Sequence, residues 1–144
     1  MFVNVSNHPS ELWLDDQKKS AMQYGEVVDF AFPLIYKGYD SIKYDELVES
    51  YYERIMDLCP DVVMVQGEFV FTHRLVNKLK KSGVKVVAAR SERSSLEYKD
   101  ENGAIHKQST FEFIDFVEYW FSYLETWLYN GAKRVDYAVK NWFI

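Results

Sequence analysis

Three short stretches carry side chains that could meet a phosphorylated ligand. They are Ser6-Asn7-His8-Pro9-Ser10, Gln66-Gly67-Glu68-Phe69 running on to Thr72, and Arg90-Ser91-Glu92-Arg93. Each follows a short strand: Phe2–Val5, Val62–Val65, which is apolar throughout, and Val84–Ala89. An apolar strand that ends in polar residues ahead of a helix presents backbone N–H groups, and side chains beside them, to an anion. Ser6, Asn7, Ser10, Gln66, Gly67, Phe69, Thr72 and Ser91 are the candidate ligand-binding residues. His8, Glu68, Arg90 and Arg93 are the candidates for chemistry, because imidazole and carboxylate move protons and guanidinium matches phosphate oxygens.

Each group also has an ordinary structural use. Asn7 and Ser10 suit backbone satisfaction and a helix cap. Gly67 suits a tight turn, and Glu68 at a helix start is favoured by the helix dipole alone. Thr72 suits packing or capping, a single histidine most often sits in a surface loop, and Arg90 and Arg93 flank Glu92 in a local ion-pair pattern.

The elements that must position these residues read as βαβαβαβ. Phe2–Val5 is a strand, and Pro9 and Ser10 open a helix that runs to Tyr24 and is closed by Gly25. Glu26–Phe32 is a second strand. Tyr44, Leu47, Val48, Tyr51, Ile55 and Leu58 fall at 3.6-residue spacing on a second helix, which Pro60 stops. Asp61–Val65 is a third strand and Phe69–Ser82 a third helix, with Phe71, Leu75, Val76 and Leu79 inward. Val84–Ala89 is a fourth strand. This rhythm calls for an α/β fold: a Rossmann-like parallel sheet in the order 2-1-3-4 with helices on both faces. In that order the crevice beside strands one and three, at their C-terminal ends, gathers the polar stretches.

After Arg93 the pattern changes. Asp100-Glu101-Asn102-Gly103 is a turn signal, and the chain reads as a C-terminal β-hairpin reaching Phe113. From Ile114 an aromatic-rich helical segment is expected, divided at Asn130-Gly131. Residues 1–113 are thus read as the nucleotide-binding domain, and 114–144 as an extension packed on that domain or on a second subunit.

The 144 residues suffice for one domain with a sizeable core. A net charge of −5 disfavours a duplex DNA footprint but allows a small anion held by local cations. The single cysteine, Cys59, excludes a disulfide framework and fits a reducing cytoplasm. No signal peptide or membrane-spanning run is expected. His8, His73 and His106 lack metal-ligand spacing, so neither metal nor cofactor is expected. Neither G-x-G-x-x-G nor G-x-x-x-x-G-K-[ST] occurs, which argues against conventional dinucleotide and P-loop binding.

The order of Ser-Asn-His-Pro-Ser, Val-Gln-Gly-Glu-Phe and Val-Val-Ala-Ala-Arg-Ser-Glu-Arg resembles the small CRISPR-associated ring nucleases. These are single-domain relatives of the CARF (CRISPR-associated Rossmann-fold) sensors of type III systems. The resemblance spans about Phe2 to Phe113 and does not extend clearly to the aromatic segment. It implies a homodimer, or a higher homo-oligomer, that binds a cyclic oligoadenylate across its two-fold axis in antiviral defence. It also implies metal-independent cleavage, in which a ribose 2′-OH attacks the adjacent phosphorus and leaves a 2′,3′-cyclic phosphate. On that resemblance Asn7 and Ser10 hold phosphates, and Gln66, Gly67 and Thr72 line the ring. Arg90 and Arg93 meet the scissile phosphate, and His8 or Glu68 assists proton transfer. Two other readings stand beside it: a non-catalytic sensor or sponge of the same fold, and an interaction protein working through its aromatic tail.

Overall fold

The structure is a computed structural model and describes residues 1–120. Five strands form one mixed sheet in the order β2-β1-β3-β4-β5: β1 (Phe2–Ser6), β2 (Val27–Ala31), β3 (Val62–Gln66), β4 (Lys85–Lys99) and β5 (Ile105–Glu118). The first four are parallel in the expected order 2-1-3-4, and β5 is antiparallel to β4. Three α-helices cover the faces: α1 (Asp15–Met22), α2 (Ser41–Met56) and α3 (Phe69–Lys81). This is the Rossmann-like α/β arrangement that the strand–helix rhythm predicts.

Alternation along β1 and β3 divides the core in two. Val3, Val5, Val63 and Val65 face α2 and α3, where Val48, Ile55, Phe71, Leu75, Val76 and Leu79 complete one cluster. Phe2, Met64 and Val87 face the other way, joining Trp13 and Ala21, with Phe116 packed against them. Parallel strands covered on both sides must be apolar on both faces, as these are.

Two local expectations are corrected. The helix expected from Ser10 to Tyr24 is instead a 3-10 turn at Ser10–Leu12 followed by α1 from Asp15. Trp13 and Leu14 between them are extended, with ψ of 151° and 154°. The break lets the Trp13 ring turn inward, only 6% exposed, edge-on to Phe2 at 6.1 Å. Burying the largest side chain of the segment outweighs one turn of exposed helix. The second correction concerns Ile114, where the aromatic helix was expected to begin. Residues 114–118 are instead the end of β5, and Phe116 packs on Phe2 at 5.0 Å. The tail features at Tyr123, Trp127, Tyr129, Asn130-Gly131, Tyr137, Trp142 and Phe143 lie outside the described residues.

The hairpin itself is as expected, but longer. β4 and β5 pair from Val87↔Glu118 to Lys99↔Ile105, so the ribbon extends well past the C-terminal ends of β1 and β3. Arg90 pairs with Asp115 while Ser91 pairs with Phe113, which leaves Ile114 as an extra residue in β5. That bulge shifts the alternation by one. Phe113 and Phe116, three apart, therefore share a face and touch at 4.9 Å. Among the described residues no helix is long and apolar enough to cross a membrane.

Candidate functional site

The C-terminal ends of β1, β3 and β4 open into a cleft of about 860 Å³ on the α1 side of the sheet. Its floor and one wall come from Ser6, His8, Met64, Gln66, Ala89, Arg90 and Ser91. Leu12, Trp13, Leu14 and Gln17 close it from the segment after β1, and Phe111 and Phe113 from the hairpin. A volume in the upper part of the ~300–1,000 Å³ range, with few polar groups against an aromatic wall, is the usual form of an organic-ligand site.

The loop that begins the cleft is held by a buried amide. Asn4, 1% exposed in the middle of β1, donates through Nδ2 to the His8 carbonyl at 2.9 Å and to Asp29 Oδ1 at 2.7 Å. Its Oδ1 lies 2.8 Å from the Ser6 hydroxyl, which also lies 3.1 Å from the His8 carbonyl. The indole N–H of Trp13 donates to that same carbonyl at 3.0 Å. Asp29, from β2, accepts the Ser10 N–H and hydroxyl. The backbone from Ser6 to Trp13 is thereby tied to two strands before any ligand arrives.

Of the residues proposed from sequence, Ser6, His8, Gln66, Arg90 and Ser91 come together in this cleft. Gln66 Oε1 accepts the Ala89 N–H at 3.0 Å, just past the last paired residues of β3 and β4. Arg90 is held side-on by Asp115, with Nε and Nη2 at 2.9 and 2.6 Å from its two oxygens. Only two of the five guanidinium N–H groups are used in that fork, and the other three have no partner among the described residues. The His8 imidazole, the Ser91 hydroxyl and the Gln17 carboxamide likewise have no hydrogen-bond partner among the described residues.

The remaining candidates lie elsewhere. Asn7 is exposed outside the cleft lining, and Ser10 is engaged by Asp29. Gly67 lies under Phe32: a Cβ there would come within 2.3–2.8 Å of the ring. The Glu68 carboxylate caps its own helix, accepting from the Val70 and Phe71 N–H groups at 3.1 and 2.8 Å. The α3 amides that this strand–helix turn would offer to an anion are thus covered by an internal one. Tyr44 beside it is held above the usual tyrosine range, first by burial and then by the Glu68 charge. Phe69 is 88% exposed, and Thr72 faces inward with a buried hydroxyl. Arg93 lies farther along the hairpin, over the Phe111 ring at 5.7 Å and bonded to Ser109.

Asn4, Asp29, Trp13, Gln17, Phe111 and Phe113 were missed in the sequence reading. A polar residue inside Phe-Val-Asn-Val, and another inside Val-Val-Asp-Phe-Ala, were the available signals for Asn4 and Asp29. Gln17 and the two phenylalanines reach the cleft only through the break at Trp13 and the length of the hairpin.

A family model matches residues 1–117, four-fifths of the chain. The chain belongs to the uncharacterized protein MJ1673 family. The MJ1673 family match takes in every residue lining the cleft, Asn4 and Asp29 beneath it, and all but the last residue of β5. A comparison with curated proteins finds no match.

Proposed function

We propose that this protein binds a cyclic oligoadenylate of type III CRISPR immunity in the cleft and cleaves it without a metal. The observation that carries this reading is the convergence, at the strand-order reversal, of His8, Ser91 and the carboxamide residues Gln17 and Gln66 against an aromatic wall. Phosphate oxygens suit the Ser91 hydroxyl, and bases suit Phe111 and Phe113. In the reaction the ribose 2′-oxygen attacks the neighbouring phosphorus while its proton leaves, and the P–O5′ bond breaks. The O5′ atom takes a proton, and a 2′,3′-cyclic phosphate remains. On this reading His8 moves one of these protons. A homodimer in the cytoplasm, with one ring spanning two clefts, is part of the same proposal.

A second reading, binding without turnover, has its own support. Glu68 is committed to the α3 N-terminus and Arg90 is already half engaged by Asp115. Incubation with cyclic tetra-adenylate and cyclic hexa-adenylate in EDTA, with products resolved by mass, separates the two. Linear products ending in 2′,3′-cyclic phosphate, lost in His8→Ala, support the enzyme. Intact rings that co-elute with the protein support the sensor or sponge, and intact, unbound rings refute both.

A further inference from the structure

We infer that Gln17 is the residue by which the cleft selects adenine, an inference that rests on the cyclic oligoadenylate reading above. Gln17 lies in the first turn of α1, lines the cleft and is half-buried. The other polar groups there are of limited use for reading a base edge. Gln66 Oε1 already accepts the Ala89 N–H, which fixes the direction of its carboxamide and leaves one lone pair. Arg90 offers donors alone. The Ser91 hydroxyl is one short group, and the His8 ring is assigned to proton transfer in that reading.

Gln17 alone offers a donor and an acceptor side by side on one rigid carboxamide, both without a partner among the described residues. Adenine presents the complementary pair on its Hoogsteen edge, N6–H as donor and N7 as acceptor, and a glutamine meets both at once. Guanine and hypoxanthine carry an acceptor, O6, in place of the N6 donor. The carboxamide then faces two acceptors with only one donor-bearing end. The aromatic wall adds the second requirement for base reading. Phe113 is half-buried and lines the same cleft as Gln17, and Phe111 is 62% exposed with Arg93 over one face of its ring. Stacking accepts any base; the carboxamide distinguishes among them.

The test measures dissociation constants of the wild type and of Gln17→Ala for cyclic tetra-adenylate and cyclic tetra-inosinate carrying 2′-O-methyl groups, which block cleavage by 2′-oxygen attack. Inosine differs from adenosine at the position that Gln17 reads. Wild type should prefer the adenine ring by about ten-fold or more, the ratio that corresponds to one good bidentate pair. In Gln17→Ala that ratio should fall to about two-fold or less, chiefly through weaker binding of the adenine ring. Alanine is at home in a helix, and an unchanged melting temperature confirms that the variant is folded. A preference that survives in Gln17→Ala, or a wild type that does not distinguish the two rings, overturns the role of Gln17 alone. If neither ring binds the wild type, the functional reading falls and this inference with it.

Discussion

Replacing Asn4 by alanine should unfasten the cleft loop at a measurable cost in stability. The side chain makes three hydrogen bonds at 2.7–2.9 Å, one of them to the Asp29 carboxylate. A bond to a charged group contributes about 1.5–3 kcal/mol and a neutral one about 0.5–1.5 kcal/mol. The full sum is not expected. The His8 carbonyl keeps the Trp13 indole, Asp29 keeps Ser10 and is open to water, and the Ser6 hydroxyl can turn to the His8 carbonyl. The expected loss is therefore about 2–3 kcal/mol, from the charged bond and the small void left in β1. In urea, with a slope near ~2 kcal/mol/M, the unfolding midpoint should fall by about 1–1.5 M at constant slope. A fall below about 0.5 M would refute the claim that this amide ties the loop. Asn4→Asp sharpens the test, because it turns an oxygen toward both the His8 carbonyl and Asp29. Burial and the neighbouring charge raise the pKa of the introduced carboxyl. Its deficit relative to wild type is thus complete above the raised folded pKa and shrinks as pH falls toward about 4.

Two further outcomes follow from the geometry. Gly67→Ala places a methyl within 2.3–2.8 Å of Phe32, whose ring already packs edge-on against Phe71 at 5.2 Å, so thermal unfolding should show a loss of about 1–3 kcal/mol; an unchanged melting temperature would show that the ring yields freely. Asp100 at the hairpin turn is held below its ordinary value of 3.8, first by the bond from His106 and then by the backbone N–H groups of Ala104, Asn102 and Gly103. A depressed carboxyl stabilises the turn above its unfolded pKa and stops doing so as pH falls through the folded one. Amide-exchange protection of Asn102 and Ala104 should therefore be lost in that acid range in wild type and show no such step in Asp100→Asn.

Much of the scaffold was legible in the residue pattern. The apolar runs at Phe2, Val27, Val62 and Val86, the periodic face from Tyr44 to Leu58 and the inward face of α3 each follow from local spacing. With right-handed crossovers they lead to the order 2-1-3-4, and with it to the end of the sheet where Ser6, His8, Gln66, Arg90 and Ser91 meet. A period of two or 3.6 residues is a local property, so these elements are readable without knowing what packs on them. The turn at Asp100–Gly103 was readable for the same reason.

What the tertiary structure decided is which groups are still available for a ligand. Glu68 and Ser10 carry the right chemistry in the right stretches, yet one is spent on the α3 N-terminus and the other on Asp29. Gln17, Phe111 and Phe113 give no local signal. They reach the cleft because burying Trp13 interrupts the first helix and because the bulge at Ile114 keeps the β5 aromatics on one face. A hydrogen-bond partner, or a buried ring that breaks a helix, is settled by residues distant in sequence. The sequence by itself determined the four parallel strands, the second and third helices and the end of the sheet that could bind; only long-range packing determined which side chains remain open there.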